Sequence, residues 1–305
     1  TYSLLVFSPL LFSTIGLESV VYLPLMTFSL YWSFVHRRIG LSALAMALLT
    51  LTRPDGFLLF IAITISHLFN RNNDLEIKSS CLRISVLYIL FLLPWLLFSW
   101  VILGSFIPDT FFIKIVQMRS GYGFLAGPTT YFKRFPIETL VSAIAVLPVF
   151  LLSRRSFLRQ PAVMALLLFA GCYYLGYSLL NVWMYHWYYI PFLSSIALAG
   201  CIGTMSLDQN RLFHVLQRPF GCLLLALCSM TGMIILQFMN GIKIVEALIH
   251  TNWALSKEYR EIGLKLRDIV GEDDNVRFLG EIGTLAYFSE RRLLDQFSRT
   301  EQYIK

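Results

Sequence analysis

Groups that could do chemistry on a polar substrate are few in this chain, and they collect in five short motifs. These are GLES (16–19), TRPDG (52–56), IPDTFFIK (107–114), YHWYY (185–189) and GEIG (280–283). They offer the carboxylates of Glu18, Asp55, Asp109 and Glu281, the cations Arg53 and Lys114, and His186 inside an aromatic cluster with Trp183 and Trp187. Carboxylates can take or orient hydroxyl protons, and fixed cations can meet developing negative charge. Each also has a plain structural role open to it. Glu18 can complement a helix dipole. Arg53 and Asp55 can pair locally across their turn, and Asp55 and Asp109 can cap. Lys114 can snorkel to an interface, and the aromatic cluster around His186 can form an interfacial belt. Glu281, with Asp295 behind it, can border a substrate path or cap turns.

The elements that must position these motifs follow from composition. Hydrophobic residues make up 57% of the 305 and charged ones 14%, against about 25% charged in ordinary soluble domains. Apolar runs at 19–35, 84–103, 137–152, 162–180, 190–205 and 221–240 have the length a hydrocarbon layer of about 30 Å demands. A polar turn is expected at 70–83 and a long loop at 104–136. The class is an α-helical polytopic membrane protein. The net charge of +7 does not point to nucleic acid, because the basic residues sit in short turns rather than in a stripe interleaved with aromatics. The cysteines have neither metal spacing nor a secreted-scaffold pattern, and read as reduced small hydrophobes.

Sidedness comes from the Lys/Arg bias of short loops. Arg37, Arg38, Arg71, Lys78, Arg83, Arg154, Arg155, Arg159, Arg211 and Arg218 fall in alternate turns. With those turns cytoplasmic, all five motifs and everything after residue 240 face outward. Around TRPDG the apolar segments 41–51 and 57–69 span only about 16 to 20 Å at 1.5 Å per residue. They read as half-length helices with an apex below the outer surface, where irregular backbone is tolerated only against protein or a watery cavity.

Two regions result: a multi-span domain over 1–240 and a tail over 241–305. In the tail, Leu255, Tyr259, Ile262, Leu266 and Ile269 repeat at helical spacing. A turn at 271–275, a strand at 276–279 and a second strand opening at 292–294 complete a small α/β unit. Both ends read as cut, and further spans are expected upstream, since residue 1 is Thr and no signal-peptide pattern opens the chain.

Taken in order, GLES, TRPDG and IPDTFFIK resemble a group of bacterial GT-C glycosyltransferases, polytopic enzymes that take sugars from polyprenyl-phosphate donors. The group's G-L/M-E-T/S, T-R-P-E/D-G and L-P-N-T-F-Y-x-K motifs match this chain at equivalent topological positions. The tail's GEIGTLAYFSERRLLDQF resembles the group's D-x-G-x-x-G-Y-x-S-x-R and later Asp. Asp109 replaces the usual Asn, Glu281 the usual Asp and Ala286 the usual Gly. His186 stands nearest to an Arg-containing stretch of the group.

The resemblance implies an enzyme of the bacterial cytoplasmic membrane with an extracytoplasmic tail, moving sugar to a glycan, lipid or protein acceptor of the cell envelope. It implies Arg53 and Lys114 near the departing phosphate and Asp55 and Asp109 near sugar hydroxyls. The superfamily's catalytic acid lies in a first outward loop expected upstream of these residues. No cofactor beyond the lipid-linked donor and no metal ligand is called for, and membrane lipids are the surrounding partner. A transporter or flippase of lipid-linked saccharides is the alternative. Such proteins show repeated halves and paired charges near the midplane, and neither is legible in the sequence. A structural assembly subunit is a third reading.

Overall fold

Proline, glycine and charge punctuate the apolar runs into helices at the places those residues dictate. The computed structural model describes residues 8–69, 75–106, 123–144, 160–205, 248–250, 254–278 and 283–295, with isolated helical positions between 227 and 238. A short α1 (Pro9–Phe12) precedes α2 (Ser19–Leu30), which runs into a π-helical turn, Tyr31–Val35. Next come α3 (Ile39–Thr52), a 3-10 turn Pro54–Gly56 and α4 (Phe57–Phe69). Helix α5 (Leu75–Phe98) ends in a second π-helical turn, Ser99–Leu103.

Helices α6 (Gly127–Arg134) and α7 (Pro136–Ile144) follow, then α8 (Pro161–Leu179), a 3-10 turn His186–Tyr188 and α9 (Tyr189–Met205). The tail holds α10 (Ser256–Ile269), β1 (Val276–Phe278), α11 (Gly283–Ser289) and β2 (Leu293–Asp295).

Two stretches within the described residues, Ser79–Ile102 and Pro161–Leu179, form helices long and apolar enough to cross a membrane, with mean hydropathy 2.2 and 1.7. The segments Ser19–Val35, Ile39–Thr52 and Pro54–Phe69 are apolar but shorter. This helical architecture is compatible with a helical membrane protein.

The helices share two ends. At one, the Phe34 ring stacks on His67 with centroids 4.7 Å apart, and Ser66 Oγ donates to the Pro161 carbonyl at 2.5 Å. The basic turn at 36–38 belongs to this end. The opposite end holds the start of α2, the 53–56 turn between α3 and α4, the last turns of α8 and the 185–189 turn. The Ile249 amide also arrives there, donating to Ser13 Oγ at 2.8 Å. A core of Tyr22, Met26, Met46, Leu49, Leu59 and Phe169, all essentially inaccessible, fills the space between.

The helix bounds depart from the sequence expectation in three places. Helix α5 begins at Leu75, inside the expected polar turn at 70–83, because nothing from 75 to 83 breaks a helix. The expected loop at 104–136 contains α6, opened by Pro128 in its first turn, where a missing N–H costs nothing. In the tail, Leu255, Tyr259 and Leu266 of the expected stripe are half-buried, but Ile262 and Ile269 are exposed. Ile269 is 79% exposed, whereas Gly263 is buried against α11. Helical spacing marks where large apolar side chains recur. Here the closest approach needs no side chain at all, with Phe288 Cβ only 2.9 Å from where a Gly263 Cβ would sit. Strands β1 and β2 pair in parallel, Val276 opposite Leu293, with α11 lying between them in sequence.

Candidate functional site

The 53–56 turn is built around a glycine. Any Cβ on Gly56 would lie 2.8 Å from the carbonyl carbon and oxygen of Leu49, so only glycine lets the chain fold back this tightly. The tight turn swings Arg53 inward, leaving the residue 5% exposed. Its guanidinium is then met from four directions. Nη2 donates to Asp55 Oδ2 at 2.8 Å and Nε to the same oxygen at 3.2 Å. Nη2 also reaches the hydroxyls of Tyr173 at 3.0 Å and Tyr177 at 3.3 Å. Nη1 donates to the Trp187 carbonyl at 3.4 Å and lies 3.5 Å from Glu18 Oε1. The rings of Tyr22 and Tyr188 flank the cation at 5.6 and 5.2 Å, within cation–π range.

This arrangement answers the desolvation of a buried cation, which is tolerable only with an opposite charge and a full set of acceptors. Tyr177 adds to it by donating to Asp55 Oδ2 at 2.5 Å. Two buried polar atoms of the group, Asp55 Oδ1 and the Tyr22 hydroxyl, have no hydrogen-bond partner among the described residues. Glu18, at 37% exposure against 9% for Asp55, is the carboxylate of the group open to solvent. It occupies the N-cap position of α2 without a side-chain cap bond. Gly16, at φ +94°, turns the chain just before it.

Of the residues singled out from the sequence, Glu18, Arg53 and Asp55 come together here. The local Arg53–Asp55 pair is present, and it is one part of a larger group. His186 is 5% exposed and turns its Nε2 toward the Ser13 carbonyl at 3.3 Å, while the next residue brings its carbonyl to Arg53. Burial pushes the His186 imidazole down to about 4. Asp109, Lys114 and Glu281 lie outside the described residues.

The aromatic cluster is packed into protein and does not form an exposed belt. Tyr188 and Tyr189 are each 4% exposed. Tyr189 stacks on Phe124 at 4.2 Å and donates to its carbonyl at 2.5 Å, and Tyr131 donates to the Met184 carbonyl. The segment 123–135 thus lies over the 184–189 turn and holds it.

Sequence reading missed Tyr22, Tyr173 and Tyr177. A signal existed, since Tyr173 and Tyr177 are four apart on an otherwise apolar helix, as are Glu18 and Tyr22, so each pair shares a helix face. No family model, curated protein or solved structure matches this chain.

Proposed function

We propose that this chain is part of a GT-C-type membrane glycosyltransferase. It moves a sugar from a polyprenyl-phosphate donor to a cell-envelope acceptor at the outer face of a bacterial cytoplasmic membrane, with its tail on that same face. One observation carries this reading: GLES, TRPDG and the backbone of YHWYY converge on one charged, tyrosine-lined group at the end of the helices away from the 36–38 turn. Arg53 and the Trp187 carbonyl, 134 positions apart, meet there.

The geometry redistributes the roles that the resemblance implies. The Arg53 guanidinium is engaged by protein along every edge, and its two carboxylates leave the group formally one negative charge. Such a group suits sugar hydroxyls better than a phosphate. Glu18 is therefore the residue that meets a substrate hydroxyl, Arg53 is a positioning residue that holds Glu18 and Asp55, and the phosphate contact falls to Lys114.

The transport reading also has an observation in its favour, namely the buried Arg53–Asp55 pair, since paired charges among apolar helices mark transport pathways. Both are separated by incubating full-length protein with a radiolabelled polyprenyl-phosphate sugar and envelope acceptors. Transfer that falls at least tenfold in Glu18→Gln, with the folded protein retained, supports the transferase. Absent transfer, together with protein-dependent movement of a lipid-linked saccharide across vesicles, replaces it with transport.

A further inference from the structure

The Ser79–Ile102 helix carries a second pattern besides its apolarity. Only 17% of its most apolar window is buried, and large rings cluster at its far end. Trp95 and Trp100 are 47% and 55% exposed, and Phe98 and Phe106 are exposed as well. Trp95 packs on Phe98 with centroids 5.5 Å apart, and Trp100 on Phe106 at 4.2 Å. The helix stops between Trp100 and Phe106. Gly104 adopts φ +70° and Ser99 Oγ donates to the Ser105 carbonyl at 2.6 Å, closing the π-helical turn.

At the near end, Arg83 is exposed. The seventeen steps from Arg83 to Trp100 rise about 25 Å at 1.5 Å each, close to the hydrocarbon thickness of about 30 Å once Arg83 snorkels. Indole rings prefer the headgroup level of a bilayer.

We infer that the ring cluster of Trp95, Phe98, Trp100 and Phe106 is a lipid-interface anchor marking the bilayer boundary at the motif end, and that the Arg53 group sits well beneath that boundary. This rests on the membrane reading above and adds a depth to it. The depth follows from a cross-helix level. Tyr88 on α5 hydrogen-bonds Thr50 on α3 at 2.8 Å and stacks on Phe60 at 4.0 Å, so Tyr88 and Thr50 share a level. From there α5 climbs about 18 Å to Trp100, while α3 climbs about 4 Å to Arg53. The charged turn therefore lies on the order of 10 Å inside the plane of the Trp100 ring, at a depth where charges survive only against protein or water.

Depth-dependent fluorescence quenching tests this. The full chain is reconstituted in phosphatidylcholine vesicles brominated either near the carboxyl end or near the methyl end of the acyl chain. One protein keeps Trp100 alone, with the other tryptophans replaced by phenylalanine. A second carries Phe57→Trp alone, a position 44% exposed and adjacent to the charged turn. Carboxyl-end bromines are expected to quench Trp100 more strongly, and methyl-end bromines the F57W reporter. Equal quenching of both reporters by carboxyl-end bromines overturns the depth assignment while leaving membrane embedding intact. No quenching of either overturns embedding and with it the membrane enzyme. Should the tryptophan replacements impair folding, spin labels on Trp100→Cys and Phe57→Cys proteins give the same depths from oxygen and nickel-chelate accessibility.

Discussion

Removing the Arg53 guanidinium should cost far more than removing an ordinary surface charge, and the cost should shrink when its partner is neutralised too. Arg53→Met keeps the apolar stem but leaves Asp55, 9% exposed, buried beside Tyr177 with no cation. Breaking one half of a buried pair costs about 3–5 kcal/mol, and the Glu18 contact, being half exposed and 3.5 Å long, adds under about 1 kcal/mol. Asp55→Asn alone leaves the buried guanidinium with only the more exposed Glu18 as countercharge, beside tyrosine hydroxyls and a carbonyl, at a similar cost. The double variant removes both charges, so its loss should fall short of the sum of the singles by about 2 kcal/mol or more, a coupling typical of charges in direct contact. Equilibrium unfolding in mixed micelles, applied to all four proteins, gives this cycle. A single-variant loss below about 1 kcal/mol, or strict additivity across the cycle, would refute the account of Arg53 as the centre of the group.

Three further outcomes follow from the geometry. Gly56→Ala forces a Cβ to within 2.8 Å of Leu49 backbone, and since backbone cannot rotate away, a loss of about 1–3 kcal/mol is expected in the same unfolding assay. Gly263→Ala should loosen α10 from α11, where a Cβ meets Phe288 Cβ at 2.9 Å, seen as faster amide exchange in 256–269 with α2–α9 unchanged. His186 is held down at about 4 by burial, below the ordinary value near 6.5. Its unfolded form therefore binds the proton first as pH falls, and stability is lost mainly between about pH 6.5 and 4, with only about 0.4 kcal/mol of the loss above 6.5. Between pH 6.5 and 5 the share is about 2 kcal/mol, and His186→Gln should flatten that part of the profile in pH-dependent melting.

Local features of the sequence located the break between α3 and α4 to within a residue or two. Pro54 and Gly56 sit between two apolar runs, and no helix can pass through that pair. The helices 161–179 and 189–205 were legible for the same reason, being uninterrupted apolar stretches flanked by polar turns. Helix α6 was not, because Gly127 and Pro128 read as loop residues until the packing of Gly127 under Tyr189 is known, where a Cβ would lie 1.8 Å from the tyrosine hydroxyl. The buried state of YHWYY was equally hidden, since an aromatic cluster between apolar helices has the same composition whether it faces lipid headgroups or a covering segment.

Patterning along the chain determined which stretches are apolar helices, where turns fall and which residues carry charge, because those properties depend on neighbours a few positions away. Tertiary packing alone decided that Arg53 would be met by Tyr173, Tyr177 and Trp187, 120 to 134 positions distant. A buried guanidinium must find acceptors wherever the fold provides them, and no local pattern names those acceptors. Packing also decided that Glu18 stays open while Asp55 is enclosed. Two carboxylates equivalent in the sequence thereby acquire different exposure to solvent.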